Sequence, residues 1–243
     1  MDDPTASVKI ALRIPGQWAN PGELIERLPD GHRLGKAGLI LPGGATVEFG
    51  AAAADDQFAQ IFRSSCREEP TEDELATVDA YTVNIFLSGP GGSMDAARTL
   101  MQAAAAIIQA GGAGVFIDNS AISHGGQNWL AMTDDGSPDA LSFAFVGIIG
   151  GRSEVYTMGM HALGMPDILM KRVDCESLDI IEVIRYMSRG DKPMGHGHVL
   201  ADLSGPRFQA FHQDSEAKMT GSVMFNPFGR LKLVSMKDIA EMN

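Results

Sequence analysis

The chain has 243 residues, 44% hydrophobic and 21% charged, with 19 Lys and Arg against 31 Asp and Glu and a formal net charge of −12. This length and balance suit a globular protein with a full core, and the acidity argues against a general nucleic-acid binder, which needs a basic surface. No apolar run reaches the ~20 residues that span a bilayer, the acidic start at Met1 is unlike a secretory leader, and two cysteines, Cys66 and Cys175, are too few for a disulfide framework; a cytoplasmic, non-membrane protein is expected.

Residues 1–7 are polar and read as a frayed end. Val8, Ile10 and Leu12 alternate with polar or small residues, which predicts a strand over 8–14. Asn20 before Pro21 is a helix-start signal, and Leu24, Ile25 and Leu28 mark a short helix closed by Pro29-Asp30-Gly31. Leu39–Leu41 and Thr46–Phe49 flank a Pro-Gly-Gly turn and predict a hairpin. Phe58, Ile61 and Phe62 predict a helix within 51–69. The acidic stretch from Glu68 to Asp79 reads as a solvated connection, with Thr71 and Glu74 spaced as a capping box.

The segment from Tyr81 to Ile117 has the pattern of strand, glycine turn, helix, glycine turn and strand. Val83, Ile85 and Leu87 form the first strand, Ser93 caps the helix, and Met94, Ala97, Leu100, Met101, Ala104, Ile107 and Ile108 give it one apolar face. Such a crossover returns parallel in the same sheet. The turn Ser88-Gly-Pro-Gly-Gly-Ser93 lacks the lysine of a P-loop and the spacing of a dinucleotide fingerprint, so no organic cofactor is expected. Its Pro-Gly-Gly also resembles the oxyanion-hole turn of Clp-type serine peptidases over about a dozen residues, but no nucleophilic serine follows in a matching run.

The stretch 117–129 is the most chemical in character. It follows a strand, where ligand crevices form in open α/β sheets, and it holds Asp118, Ser120, Ser123 and His124. A hydrolase-like reading makes Asp118 the orienting acid, His124 the base and Ser123 the nucleophile, but sequence clustering does not supply the spatial arrangement such chemistry needs. Leu141–Ile149 reads as an apolar strand, Gly150-Gly151 as a turn, and Glu154–Leu163 as its hairpin partner.

Beyond it, Thr157, Gly159, Met160, Leu163, Gly164, Pro166, Asp167 and Ile168 form a Thr-x-Gly-Met-x-x-Leu-Gly-x-Pro-Asp-Ile run. This resembles the signature of a bacterial domain-of-unknown-function family, number 4261, over about residues 80–205. The resemblance implies a bacterial cytosolic protein and carries over no catalytic residues. The glycines and proline themselves predict a strand that bends and then turns.

Asp174 can cap a helix from Cys175 to Arg189 with Leu178, Ile181, Ile184 and Met187 on its apolar face, stopped by Gly190 and Pro193. In Gly195-His196-Gly197-His198, an extended backbone would point both imidazoles to one side. With His212, and Asp202 or Asp214, they would supply ligands for a divalent metal such as zinc. The tail predicts hairpin strands around Asn226-Pro-Phe-Gly229. Of the 14 methionines, Met158, Met160, Met165 and Met170 lie close together and read mainly as core filling.

The expected fold is α+β, with ferredoxin-like βαβ elements and a mostly antiparallel sheet carrying helices on one face, in a single unit over 1–243 whose element order admits halves at 1–75 and 76–243. The expected function is a non-enzymatic protein-binding module, immunity-like or regulatory, for a partner with a basic face. The alternatives are a hydrolase using the 118–129 loop and a metal-binding protein using His196, His198 and His212.

Overall fold

The computed structural model describes residues 8–176, 179–190, 194–202, 205–215 and 219–242. The expectations above for residues 1–7, Leu178 and Pro193 fall outside them. The protein is α+β and holds two mostly antiparallel sheets where the sequence suggested one.

The first sheet takes strands β1 (Lys9–Gly16), β2 (Arg33–Gly35), β3 (Gly38–Ile40), β4 (Thr46–Ala53), β5 (Val83–Pro90), β6 (Gly114–Ile117) and β7 (Ile122–Gly125), in the order β2-β3-β4-β5-β1-β6-β7. The strands β5 and β6 are joined by the long helix α4 (Met94–Gln109), as the sequence predicts. They do not pair with each other: β1 lies between them, antiparallel to both. The unit is therefore a split βαβ, in which the first strand of the chain fills the gap left by the crossover. Strands from both sides of residue 75 thus share one sheet.

Alternation along β6 explains how the sheet is covered. Val115 and Ile117 join the main core with Ala97, Leu100, Ala104 and Ile107 of α4. Phe116 points the other way, onto Phe58 and Phe62 of α2 (Phe58–Ser64) and Val78 of α3 (Glu72–Asp79). Helices on one face were expected; α2 and α3 add a cover on the other, so β6 is buried along its whole length. The alanine-rich face of α4 allows close approach to the sheet, and the two tryptophans fix it: Trp18 Nε1 donates to Ala110 O at 2.8 Å and Trp129 Nε1 to Met101 O at 3.1 Å.

The helices α5 (Gly126–Asp135) and α6 (Pro138–Phe145) lead to the second sheet. Here the sequence reading needs correction, because 141–145 is helical where a strand was expected. Ser137 caps α6 through Ala140 N and Pro138 opens it, a start signal that the strand reading passed over. The second sheet comprises β8 (Gly147–Gly150), β9 (Glu154–Met158), β10 (Asp167–Lys171), β11 (Val199–Asp202), β12 (Gly205–Gln213) and β13 (Arg230–Ser235), in the order β11-β12-β13-β10-β9-β8. The Gly150-Gly151 hairpin forms as expected, but β9 ends at Met158. The helix α7 (Ile180–Arg189) is capped by Asp179 rather than Asp174, with residues 172–176 in a preceding 3-10 turn. The α8 helix (Met236–Met242) closes the described chain. Strand β13 starts only at Arg230, so Val223-Met224-Phe225 is not a hairpin strand. No helix among the described residues is long and apolar enough to cross a membrane.

Candidate functional site

The residues with a catalytic appearance do not meet. Asp118 follows β6 and holds Arg13 of β1, accepting from Nε at 2.8 and 3.1 Å. Burial pushes its carboxyl up, and the Arg13 hydrogen bond and charge pull it back. Ser123 and His124 are consecutive on β7, so their side chains leave opposite faces. Ser123 is fully buried and its Oγ donates to Phe62 O at 2.6 Å. His124 is equally buried between Trp129 and Phe143, and its Nε2 donates to Ala144 O at 3.0 Å. Burial lowers the His124 imidazole to about 4, so it is neutral at physiological pH. Its Nδ1, where an orienting acid would act, has no hydrogen-bond partner among the described residues.

The glycine turn is likewise committed to the fold. Gly91 N donates to Val8 O at 2.9 Å and Gly92 N to Ala162 O at 3.0 Å. These amides stitch β5 to β1 and to the 3-10 turn Met160–Leu163, and are spent as oxyanion or phosphate donors.

The histidines of the metal reading are held by other contacts. Gly197 adopts φ +82° and His198 N closes a turn on Gly195 O, so the segment is a bend and not an extended strand. His196 Nδ1 accepts from His212 N at 3.3 Å, while His212 Nε2 donates to Phe228 O at 3.0 Å. The His198 ring lies against Tyr186, centroids 5.8 Å apart. The side chain of Asp202 is outside the described residues. Among those described, no three His, Cys, Asp or Glu gather as a metal would require.

A different place concentrates polar chemistry. Asp167, at the start of β10, is 6% exposed. Its Oδ1 accepts from Thr157 Oγ1 at 3.2 Å and Met160 N at 3.3 Å, and its Oδ2 from Asn226 Nδ2 at 2.8 Å. Thr157 Oγ1 in turn accepts from Ile168 N at 2.8 Å, and Asn226 Nδ2 also reaches Met165 O at 3.0 Å. The Thr157–Asp167 pair holds together the bend that the signature run encodes, and Asn226 pins the segment before β13 onto it. Burial pushes the Asp167 carboxyl up to about 6, against the hydrogen bonds from Asn226, Met160 and Thr157 and the Arg230 charge. Arg230 is its register partner across the parallel β10–β13 pair.

These groups border a cleft of about 310 Å3 between one face of the second sheet and residues Ser215, Met219, Met224, Phe225 and Asn226. Tyr156, Met158, Leu169, Met219, Met224 and Phe225 form its apolar walls. Met158 therefore lines a cavity, whereas Met160 and Met170 are core, as expected. Among the described residues no histidine lines it, and the Ser215 hydroxyl donates to Asn226 O; its apolar walls with a few convergent polar groups are those of a binding cleft.

A second buried polar group escaped the sequence reading. Asn119 is fully buried; its Oδ1 accepts from Ala11 N at 3.0 Å, and its Nδ2 donates to Lys9 O at 2.8 Å and Val223 O at 3.1 Å. His161 Nε2 lies against the same carbonyl at 2.9 Å. Asn119 thus joins β1 to the roof of the cleft. Lying between Asp118 and Ser120, it was overshadowed by the residue types of a catalytic triad.

No family model matches this chain, nor does any curated protein or solved structure.

Proposed function

We propose that the protein is a non-enzymatic protein-binding module, regulatory or immunity-like in kind, that acts in the cytoplasm on a partner with a basic face. The observation that carries this reading is an exposed acidic ridge. Glu68, Glu69, Glu72 and Asp73 all face solvent around the start of α3. They adjoin a concavity of about 290 Å3 bordered by Glu68, Glu69, Glu74, Gln127 and Asn128. Opposite charge on a partner would steer encounter and fix orientation. The burial and structural hydrogen bonding of Ser123 and His124 weigh against the hydrolase alternative, and the resemblance to family 4261, which brings no catalytic residues, accords with binding.

The test is affinity capture at low salt, followed by quantitative binding of the recovered partner. Glu68, Glu69 and Glu72 together changed to Lys should abolish capture, and raising salt from 50 to 300 mM should weaken the wild-type complex by roughly tenfold or more. Equal capture by the charge-reversed variant, or no specific partner at low salt, overturns the proposal.

A further inference from the structure

One strand edge of the first sheet is left open. Successive residues of a strand direct their backbone groups to alternate neighbours. Ala54 N donates to Thr82 O at 3.2 Å, and the same register sets Ala52 opposite Asn84, Gly50 opposite Phe86 and Glu48 opposite Ser88. These even-numbered residues of β4 therefore bond to β5. Val47, Phe49, Ala51 and Ala53 turn their N–H and C=O groups to the other side, where β3 pairs only with Thr46 and Val47. From Phe49 to Ala53, no strand among the described residues covers that side.

The two ends of this edge carry opposite charge. Gly38 packs against Val47 and Glu48, which puts the turn between β2 and β3, Lys36-Ala37, beside the Phe49 end. Asp56 follows the Ala53 end. Lys36 and Asp56 are exposed and enter no ion pair among the described residues. Glu48, the acid nearest Lys36 along the strand, is matched instead by Lys9 at 3.5 Å.

We infer that two copies of this chain pair through this edge, β4 against β4, antiparallel about a two-fold axis at Ala52. Ala51 of each copy stands opposite Ala53 of the other, and each such pair exchanges both N–H···O=C bonds through groups that already face outward. The antiparallel direction carries Asp56 of each copy to Lys36 of the other. Strand β4 ends at Ala53, so the incoming strand leaves the sheet before it meets the Lys36-Ala37 turn. Gly50 and the exposed alanines put no bulky or like-charged side chain between the copies. A strand that fits here must be short, must leave beside Lys36 with an acid at that point, and must offer a base at its other end; β4 with its own flanks meets all of these conditions. The inference goes beyond the acidic ridge, whose residues on and before α3 take no part in it.

The experiment is sedimentation equilibrium of the full chain from about 10 µM to about 1 mM. Physiological salt, with a Debye length of about 8 Å, limits the repulsion between two chains of net charge −12. The wild type should show a reversible monomer–dimer equilibrium. Lys36→Glu and Asp56→Lys should each weaken it at least roughly tenfold, and the double variant, which exchanges the two charges, should recover most of the loss. Ala51→Pro removes an outward N–H and should abolish the dimer with the urea midpoint little changed, as for proline on a free edge. Ala52→Pro breaks a bond to β5 and should lower the midpoint clearly. A wild type that stays monomeric throughout, a dimer indifferent to Ala51→Pro, or a double variant no better than the single ones overturns the inference. All these variants leave Glu68, Glu69 and Glu72 unaltered, so none of the results bears on capture of a basic partner.

Discussion

Gly164 packs its backbone against Gly92, so that a Cβ on Gly164 would overlap the Gly92 carbonyl oxygen. The contact joins the turn that opens α4 to the bend that precedes β10, and Gly92 N donates to Ala162 O beside it. Gly164 also holds φ +84°, a conformation that side chains disfavour. Steric and conformational costs therefore combine in Gly164→Ala. The expected loss is about 2–4 kcal/mol, read as a lowered urea midpoint. Gly195→Ala, where an added Cβ meets nothing within 4 Å, is the control and should shift the midpoint little. Equal effects at the two sites would remove the special role of the Gly92 contact.

Glu74 serves two helices at once. Its Oε2 accepts from Thr71 N at 2.8 Å, completing the capping box of α3, and its Oε1 accepts from Gln127 N at 2.7 Å. The latter supplies α5 with a cap that Gly125, its N-cap residue, cannot provide. Glu74→Ala leaves both amides without this acceptor and should cost about 1–3 kcal/mol. Glu74→Gln keeps one carbonyl oxygen and should cost less. Hydrogen exchange at Thr71 and Gln127 gives the direct reading: both amides should lose protection in the Ala variant, and protection unchanged at Gln127 would sever the proposed link between the helices.

Asn119→Ala should be among the more damaging single changes to this chain. It strands Ala11 N, Lys9 O and one donor to Val223 O in a fully buried setting. Unsatisfied buried polar groups cost about 1–3 kcal/mol each before partial relaxation, so a total of about 3 kcal/mol or more is expected in thermal or urea unfolding. Asn119→Asp keeps the acceptor for Ala11 N but loses the donors, and should rescue only part. Full rescue would mean that the Lys9 and Val223 contacts contribute nothing.

The local elements were largely legible, because the signals lie in adjacent residues. Asn20 with Pro21, Thr71 with Glu74, and Ser93 each start a helix as their spacing predicts. The strand-for-helix error at 141–145 came from an apolar run too short for its period to decide. What could not be read was pairing at a distance. Nothing local announces that β1 inserts between β5 and β6, since the evidence is the complementarity of surfaces about a hundred residues apart. The candidate site suffered likewise: Thr157 and Asp167 stood in a recognisable run, but Asn226 joins them across 59 positions. Conversely, Asp118, Ser123 and His124 are neighbours in sequence, and strand alternation sends the last two to opposite faces.

Asp167 and His124 should give the protein opposing pH dependences in one window. The Asp167 carboxyl is raised from 3.8 to about 6, so the folded state binds its proton more tightly than the unfolded chain. Its contribution is fully present at pH below about 4 and is lost as pH rises through about 6. The His124 imidazole is lowered from 6.5 to about 4, so the folded state resists protonation. Its contribution is present above about 6.5 and is lost as pH falls through about 4. His161, lowered by burial in the same direction, adds to the His124 effect. The Asp167 and His124 shifts each correspond to about 3 kcal/mol, and between pH 4.5 and 6.5 they largely offset in the wild type. Asp167→Asn removes the low-pH bonus, so this variant should lose stability more steeply than wild type as pH falls from 6.5 to 4.5. His124→Gln removes a low-pH penalty, so it should lose stability less steeply. Urea midpoints at pH 6.5, 5.5 and 4.5, taken as differences from wild type, cancel the background from exposed carboxylates. Opposite slopes for the two variants support both assignments; parallel slopes would show that at least one of these groups titrates in the folded protein as it does in the unfolded chain.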